Sequence, residues 1–186
     1  MKRSLRDFLT MLVVAVVIFL VLRNTVQTFV VYGPSMEPNF VAQQRLLVSK
    51  IVYRIHEPER GDVIVFRPPH NQRDSYIKRI IGLPGESVEI KEGTVYIHQK
   101  DGTVLQLDES YIKKPATRSF KGDIVPKNEY FVLGDNRDNT NDSRNGWTVP
   151  RESIIGKAWL SIWPPDEWGL AANYPLQEQI ASATND

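Results

Sequence analysis

Residues 8 to 22 form a run of fifteen amino acids without a charge, rich in Val, Leu and Ile, directly behind Lys2, Arg3 and Arg6. No feature of the chain restricts its fold more, because such a run must either enter a bilayer or be cut away. As a helix it reaches about 22 Å, short of a hydrocarbon core of about 30 Å and close to the apolar region of a cleavable leader. Cleavage needs small residues downstream, and Leu22-Arg23-Asn24-Thr25-Val26-Gln27 offers none in an Ala-x-Ala pattern. A helix continued to Val31 through Val26, Phe29 and Val30 would span, with Arg23 reaching back to the interface. The reading preferred here is a retained anchor over residues 8–31. More basic residues precede it than follow it, which puts residues 1–7 in the cytoplasm and the body outside, as a single-pass protein of the cell (plasma or inner) membrane.

Beyond Tyr32 the chain holds 19 basic and 21 acidic residues, a net charge of −2, so the electrostatic footprint of a nucleic-acid-binding surface is missing. The absence of cysteine excludes disulfides, iron–sulfur clusters, thiol nucleophiles and thiolate zinc sites. Short apolar runs punctuated by Gly, Pro, Asn and Asp predict strands over 45–53, 62–66, 76–81, 130–133 and 154–163. Val88-Glu89-Ile90-Lys91-Glu92-Gly93-Thr94-Val95-Tyr96-Ile97 reads as a hairpin, with Gly93 at a positive-φ turn position. The expected fold is mainly β: one compact antiparallel sheet domain over 32–165 behind a single transmembrane helix. Residues 99–128 are expected to leave the main sheet as a solvated excursion, and 166–186 to form a polar tail.

Several motifs carry bland readings. His56, His70 and His98 are far apart, in polar settings, with no spacing that would seat two imidazoles on one metal. Residues 134 to 144 have the composition of a calcium loop, but no register puts ligands at positions 1, 3 and 5 before a glycine at 6. Arg60-Gly61-Asp62 is turn-to-strand punctuation, and Gly82-Leu83-Pro84-Gly85 is a turn without the helix a phosphate cradle needs. No metal or cofactor is expected.

Chemistry concentrates at Gly33-Pro34-Ser35-Met36-Glu37-Pro38, where a hydroxyl sits in a proline-bracketed turn just beyond the apolar segment. A serine is a weak nucleophile until a neighbouring group removes its proton. A Ser-His-Asp arrangement stays open, although no histidine stands in a context that suggests burial beside a carboxylate. Lys78 is the better candidate. Strand alternation puts Tyr76, Lys78 and Ile80 on one face and Ile77, Arg79 and Ile81 on the other, so Lys78 or Arg79 can approach the core. Arginine cannot deprotonate usefully, whereas desolvation lowers a lysine from about 10.4 by several units. An ordinary strand lysine reaching solvent is the competing reading.

This constellation resembles the type I signal peptidases, membrane-anchored Ser-Lys proteases that remove signal peptides from exported preproteins. Pro34 to Pro38 resembles the family's nucleophile box, Arg60 to Phe66 its strand box, Tyr76 to Gly85 its lysine box and Gly134 to Arg144 its last box, in that order behind an anchor. The resemblance implies that Ser35 attacks the scissile carbonyl, that neutral Lys78 accepts its proton, and that Thr140 orients the lysine amine through a hydrogen bond. It further implies that Met36 and Ile77 line small pockets for an Ala-x-Ala motif, and that Asp142 and Arg144 brace the last box as an ion pair. The backbone N–H of Ser35 would donate to the oxyanion. Gly33 stands where a second, side-chain donor is found in part of the family, Asn39 where threonine is common and Thr140 where serine is common. Secretory preproteins and the lipid bilayer are the implied partners, and Phe40, Trp163 and Trp168 are candidates for the bilayer interface. Two other functions fit the same chain: a related Ser-Lys peptidase with specialised substrates, and a non-catalytic anchored β domain that binds secretory partners.

Overall fold

A computed structural model describes residues 2–174, 176 and 178–180. Helix α1 (Lys2–Thr25) contains a stretch from Arg6 to Thr25 of 20 residues, none buried, long and apolar enough to cross a membrane. The helix stops six residues before the expected Val31. Asn24 and Thr25 compete for backbone hydrogen bonds, and Val26-Gln27-Thr28-Phe29-Val30 is rich in residues that favour a pleated surface. That segment is strand β1 (Val26–Val30), antiparallel to β2 (Arg45–Ser49) with Val26 opposite Ser49 and Val30 opposite Arg45. The apolar helix therefore ends before Val31, and the last apolar residues of 8–31 belong to a sheet.

One helical turn, α2 (Val52–Ile55), precedes β3 (Val63–Phe66) and β4 (Tyr76–Gly82). The hairpin β5 (Ser87–Lys91) and β6 (Thr94–His98) follows, then β7 (Val104–Leu107) and β8 (Phe120–Lys121). The chain continues through β9 (Glu129–Leu133), β10 (Val149–Pro150), β11 (Ile154–Trp163), β12 (Gly169–Leu170) and β13 (Glu178–Ile180). All pairings among the described residues are antiparallel. The larger sheet runs β1-β2-β11-β3-β4-β9-β10, with β12 added to β11, and the smaller runs β13-β7-β6-β5-β8. The mainly β, antiparallel expectation holds, but the strands divide into two sheets. The β5–β6 turn carries positive φ at both Glu92 (51°) and Gly93 (81°), the twist that joins two strands by two residues.

Residues 99–128 are not a solvated loop. They supply β7 and β8 to the smaller sheet, and Tyr111, Ala116 and Val125 are buried. Leu105 and Leu107 enter one apolar core with Val88, Ile90, Val95 and Ile97, which explains why a polar-looking segment folds back: its few apolar residues fall on one face. The segment after Asp166 is likewise structural over its described part. Asn173 accepts a hydrogen bond from Val63 N–H at 2.8 Å and donates to Ala158 O at 2.7 Å, and Tyr174 stacks on Tyr111 with ring centroids 5.5 Å apart. The end of the expected tail, 181–186, lies outside the described residues.

A second core, under β1, β2, β3 and β11, contains Met36 and Phe40 together with Val31, Leu46, Val48, Val63 and Val65. Phe40 is thus corrected from interfacial aromatic to core residue, while Trp163 (53% exposed) and Trp168 (67%) are open to the surroundings.

Candidate active site

Strand β4 is buried on both faces from Ile77 to Gly82, so the alternation expected there decides direction and not exposure. The two adjacent cations have opposite fates. Arg79 turns into the protein and is fully buried, with Nε and Nη2 donating to the Asp135 carboxylate at 2.9 and 2.7 Å and Nη1 donating to the carbonyls of Gly61 and Ala172, both at 2.9 Å. Its guanidinium carbon lies 4.3 Å from the Tyr111 ring centre. A buried charge survives when every donor is matched in this way. Lys78, 4% exposed, makes no ion pair with a described residue; its Nζ lies 2.8 Å from Ser35 Oγ and 2.8 Å from Ile77 O. Burial pulls its ammonium down from 10.5 to about 8, against the opposing fields of Asp142 and Asp135.

Ser35 is held by its neighbours on both sides. Met36 (0% exposed) and Phe40 (1%) root the turn in the core, Phe40 N–H donates to Met36 O at 3.0 Å, and Glu37 N–H donates to Pro34 O at 3.1 Å. From the last box, Asn136 grips the turn twice: its N–H donates to Ser35 O and its Nδ2 to Pro34 O, each at 3.1 Å. The buried Asp135 also accepts from Asn39 Nδ2 at 2.8 Å, so the carboxylate that neutralises Arg79 ties in the end of the turn that carries Ser35. Asn39 is thereby more than a polar stand-in. Its Nδ2 also reaches Tyr111 O at 3.0 Å and joins the 99–128 segment to the site.

Gly134 separates Ser35 from Thr140. A β-carbon there would stand 2.3 Å from Thr140 Oγ1 and 2.5 Å from Ser35 O, so only a residue without a side chain allows the close approach. Gly33 is a glycine for another reason: a side chain would meet nothing within 4 Å, but φ is +73°, a conformation that costs any other residue energy. Among the described residues no backbone hydrogen bond uses the N–H of Ser35, which leaves it available as a donor.

Thr140 Oγ1 is buried and has no hydrogen-bond partner, so the bond from Thr140 to the Lys78 amine is not formed in this structure. Asp142 and Arg144 do pair. Arg144 Nε and Nη2 donate to the Asp142 carboxylate, both at 2.9 Å, while Asp142 Oδ2 accepts from Gly134 N–H at 3.2 Å. Arg144 also donates to Arg137 O, and Arg137 pairs with Glu109. The Arg137–Glu109 and Arg79–Asp135 contacts carried no local sequence signal, because each partner lies 28 or 56 positions away.

Ser35 and Lys78 open into a cleft of about 710 Å³ whose walls include Thr28, Phe29 and Val30 of β1 and Tyr76 and Ile77 of β4. β1 and β4 are separated by three strands in the larger sheet, so the sheet must curl to bring them to one cleft. Ile77 lines it, as the resemblance implies. Met36 does not; it is fully buried beneath the turn. Asn141 and Tyr32 also line the cleft, and neither was singled out in the sequence. His56 and His70 are exposed and His98 pairs with Glu89 at 2.8 Å, so no histidine lines the cleft. In the 134–144 loop, Asp135 and Asp142 are both engaged by arginines.

A serine hydroxyl on a desolvated lysine amine, in an open cleft of a β fold, is the constellation a serine hydrolase of the Ser-Lys kind requires. The chain belongs to the family described as signal peptidase, peptidase S26, whose model matches residues 5–163. Among its relatives, a probable signal peptidase I-2 of Synechocystis is 41% identical over 165 residues, covering 83% of this chain and 73% of that protein. A signal peptidase IB of Staphylococcus aureus is 32% identical over 187 residues, covering 90% of this chain and 94% of the relative. A crystal structure of a signal peptidase I from Enterococcus faecalis aligns with a TM-score of 0.48 at 35% identity, over 55% of this chain and 97% of that one.

Proposed function

We propose that this protein is a membrane-anchored serine endopeptidase that removes N-terminal signal peptides from exported preproteins, with Ser35 as nucleophile and Lys78 as general base. Family membership supports the activity, and the 2.8 Å approach of Lys78 Nζ to Ser35 Oγ in a buried setting carries the mechanism.

Near neutrality an ammonium at about 8 loses its proton far more readily than a solvated lysine. The neutral amine then accepts the Ser35 proton as Oγ attacks the scissile carbonyl, and the ammonium formed returns that proton to the leaving amine. A water deprotonated by the same amine hydrolyses the acyl-enzyme. The free N–H of Ser35 donates to the developing oxyanion. Thr140, beside Ser35 across Gly134, has an unpartnered hydroxyl to offer the amine when Lys78 is protonated. Asp142 and Arg144 act indirectly, by holding Gly134.

The substrate fits as an extended chain. β1 is a terminal strand of its sheet, and β4 pairs with β9 only from Arg79 onward, leaving Tyr76 to Lys78 unpaired on that side. A peptide laid between these edges gains main-chain hydrogen bonds whatever its sequence, and Ile77 restricts the side chain nearest the cut to a small one. The N-terminal helix anchors this cleft at the bilayer, with the N-terminus cytoplasmic and the cleft on the outer side. Sharing a membrane with the substrate raises the effective concentration of both.

The test is to incubate the full-length protein in detergent with a preprotein bearing Ala-x-Ala and to determine the product mass. Cleavage after the second small residue by the wild type and none by Ser35→Ala supports the assignment. Equal cleavage by both proteins overturns it.

A further inference from the structure

The cleft that holds Ser35 and Lys78 also has a charged lip that the chemistry leaves unused. Arg73 and Asp74, in the loop between β3 and β4, line it together with Ser75. The loop is ordered by its own hydrogen bonds. Asn71 Oδ1 accepts from the N–H of Arg73 at 3.1 Å, Asn71 Nδ2 donates to the Asp74 carboxylate at 2.7 Å, and Gln72 Nε2 donates to Pro68 O at 3.1 Å. Asp74 is thus engaged. Arg73 is exposed, and its guanidinium makes no hydrogen bond or ion pair with any described residue. An arginine held over a cleft by an ordered backbone, with no partner in its own chain, presents donors in a fork that suits a carboxylate.

We infer that Arg73 is a specificity-determining residue that reads an acidic side chain on the substrate a few positions before the cut. The inference rests on the peptidase reading of the same cleft. Ile77 restricts the small residue next to the scissile bond, so the wall running back from Ile77 through Ser75 to Arg73 lies along the segment before the cut. Arg73 stands five positions before Lys78, in the loop just before β4, so the substrate residues it can meet lie upstream of the one that Ile77 restricts, and the fourth to sixth before the cut are the ones to scan. Those residues join the apolar segment of a leader to its cleavage motif.

The test uses the full-length enzyme in neutral detergent and a set of synthetic peptides with Ala-x-Ala before the cut, carrying Glu, Ala or Lys at the fourth, fifth or sixth position. The readout is the ratio of kcat/KM for Glu over Lys at each position, which does not depend on the amount of active enzyme. The wild type is expected to prefer Glu by about 2–5-fold at one position, the range of an exposed ion pair, through KM and with loss of the preference at high salt. Arg73→Glu is expected to invert the ratio at that position and Arg73→Ala to bring it to unity. A ratio that is the same in wild type and Arg73→Glu overturns the assignment and leaves the peptidase reading intact; a wild type that cuts none of the peptides overturns both. If Arg73→Glu slows all peptides equally, and only in vesicles containing an anionic lipid, the arginine contacts lipid headgroups and the inference is overturned.

Discussion

Lys78 Nζ lies 2.8 Å from Ser35 Oγ although the two residues are 43 positions apart, and the lysine is almost completely removed from solvent. The contact and the desolvation have one cause, since β4 brings Lys78 under a turn that Met36 and Phe40 anchor in the core.

Activity should rise with pH along a single limb near 8, because the proposed mechanism needs the neutral amine and burial lowers the ammonium to about 8. The limb is read from kcat/KM against pH with a peptide substrate that does not titrate in that range. A limb close to 10.4 would show a solvated lysine.

The same shift links to stability with a definite sign. The unfolded chain holds the Lys78 proton up to about 10.5 and the folded chain only up to about 8, so the burden of burying the charge is full below 8 and is relieved between 8 and 10.5. Lys78→Met should abolish cleavage and yet raise stability at pH 7 by about 1–3 kcal/mol. Urea unfolding at pH 7 and pH 10 checks both the gain and its fading at high pH.

Asp142 is the stronger of the two carboxylates that oppose the lowering of Lys78. Asp142→Asn should therefore move the activity limb below 8, while it slackens the support of Gly134 and lowers kcat. A limb that stays in place would remove Asp142 from the electrostatics of the site.

Thr140→Val tests a hydroxyl that makes no hydrogen bond in the resting structure. Removing an unsatisfied buried polar atom should leave stability unchanged or raise it by about 1–2 kcal/mol. If the hydroxyl serves the lysine during the reaction, kcat falls while KM holds. Unchanged kcat would assign Thr140 to packing alone.

Gly134→Ala should harm activity far more than stability. The new carbon meets Thr140 Oγ1 at 2.3 Å and Ser35 O at 2.5 Å, so the nucleophile turn must shift, with a loss on the order of 10²-fold in kcat. The circular dichroism melt should fall by far less than the activity. A wild-type rate would mean that the turn moves without harm.

Much of the site was legible because its parts are local. The serine is flanked by two prolines in one turn, and Lys78 sits in a strand whose alternation narrows the buried cation to it or Arg79. What alternation could not say is which of the two adjacent cations faces the serine. That choice depends on Asp135, which lies 56 positions beyond Arg79 and draws it inward. Met36, next to Ser35 in sequence, is fully buried and does not line the cleft, because the turn has to be rooted somewhere.

By itself the sequence determined the apolar N-terminal helix, the antiparallel strands, the β5–β6 turn and the place of Ser35 in a proline-bracketed turn shortly after that helix, since periodicity, turn residues and apolar length act over a few residues. The tertiary structure alone decided the end of the helix at Thr25, the second sheet drawn from residues 87–121 and 178–180, the use of residues 169–174 as a cover for Arg79, and the depth at which Lys78 lies. Each of these depends on partners far along the chain, and the energy that selects them, apolar burial and the pairing of buried charge, exists only once the sheets have closed.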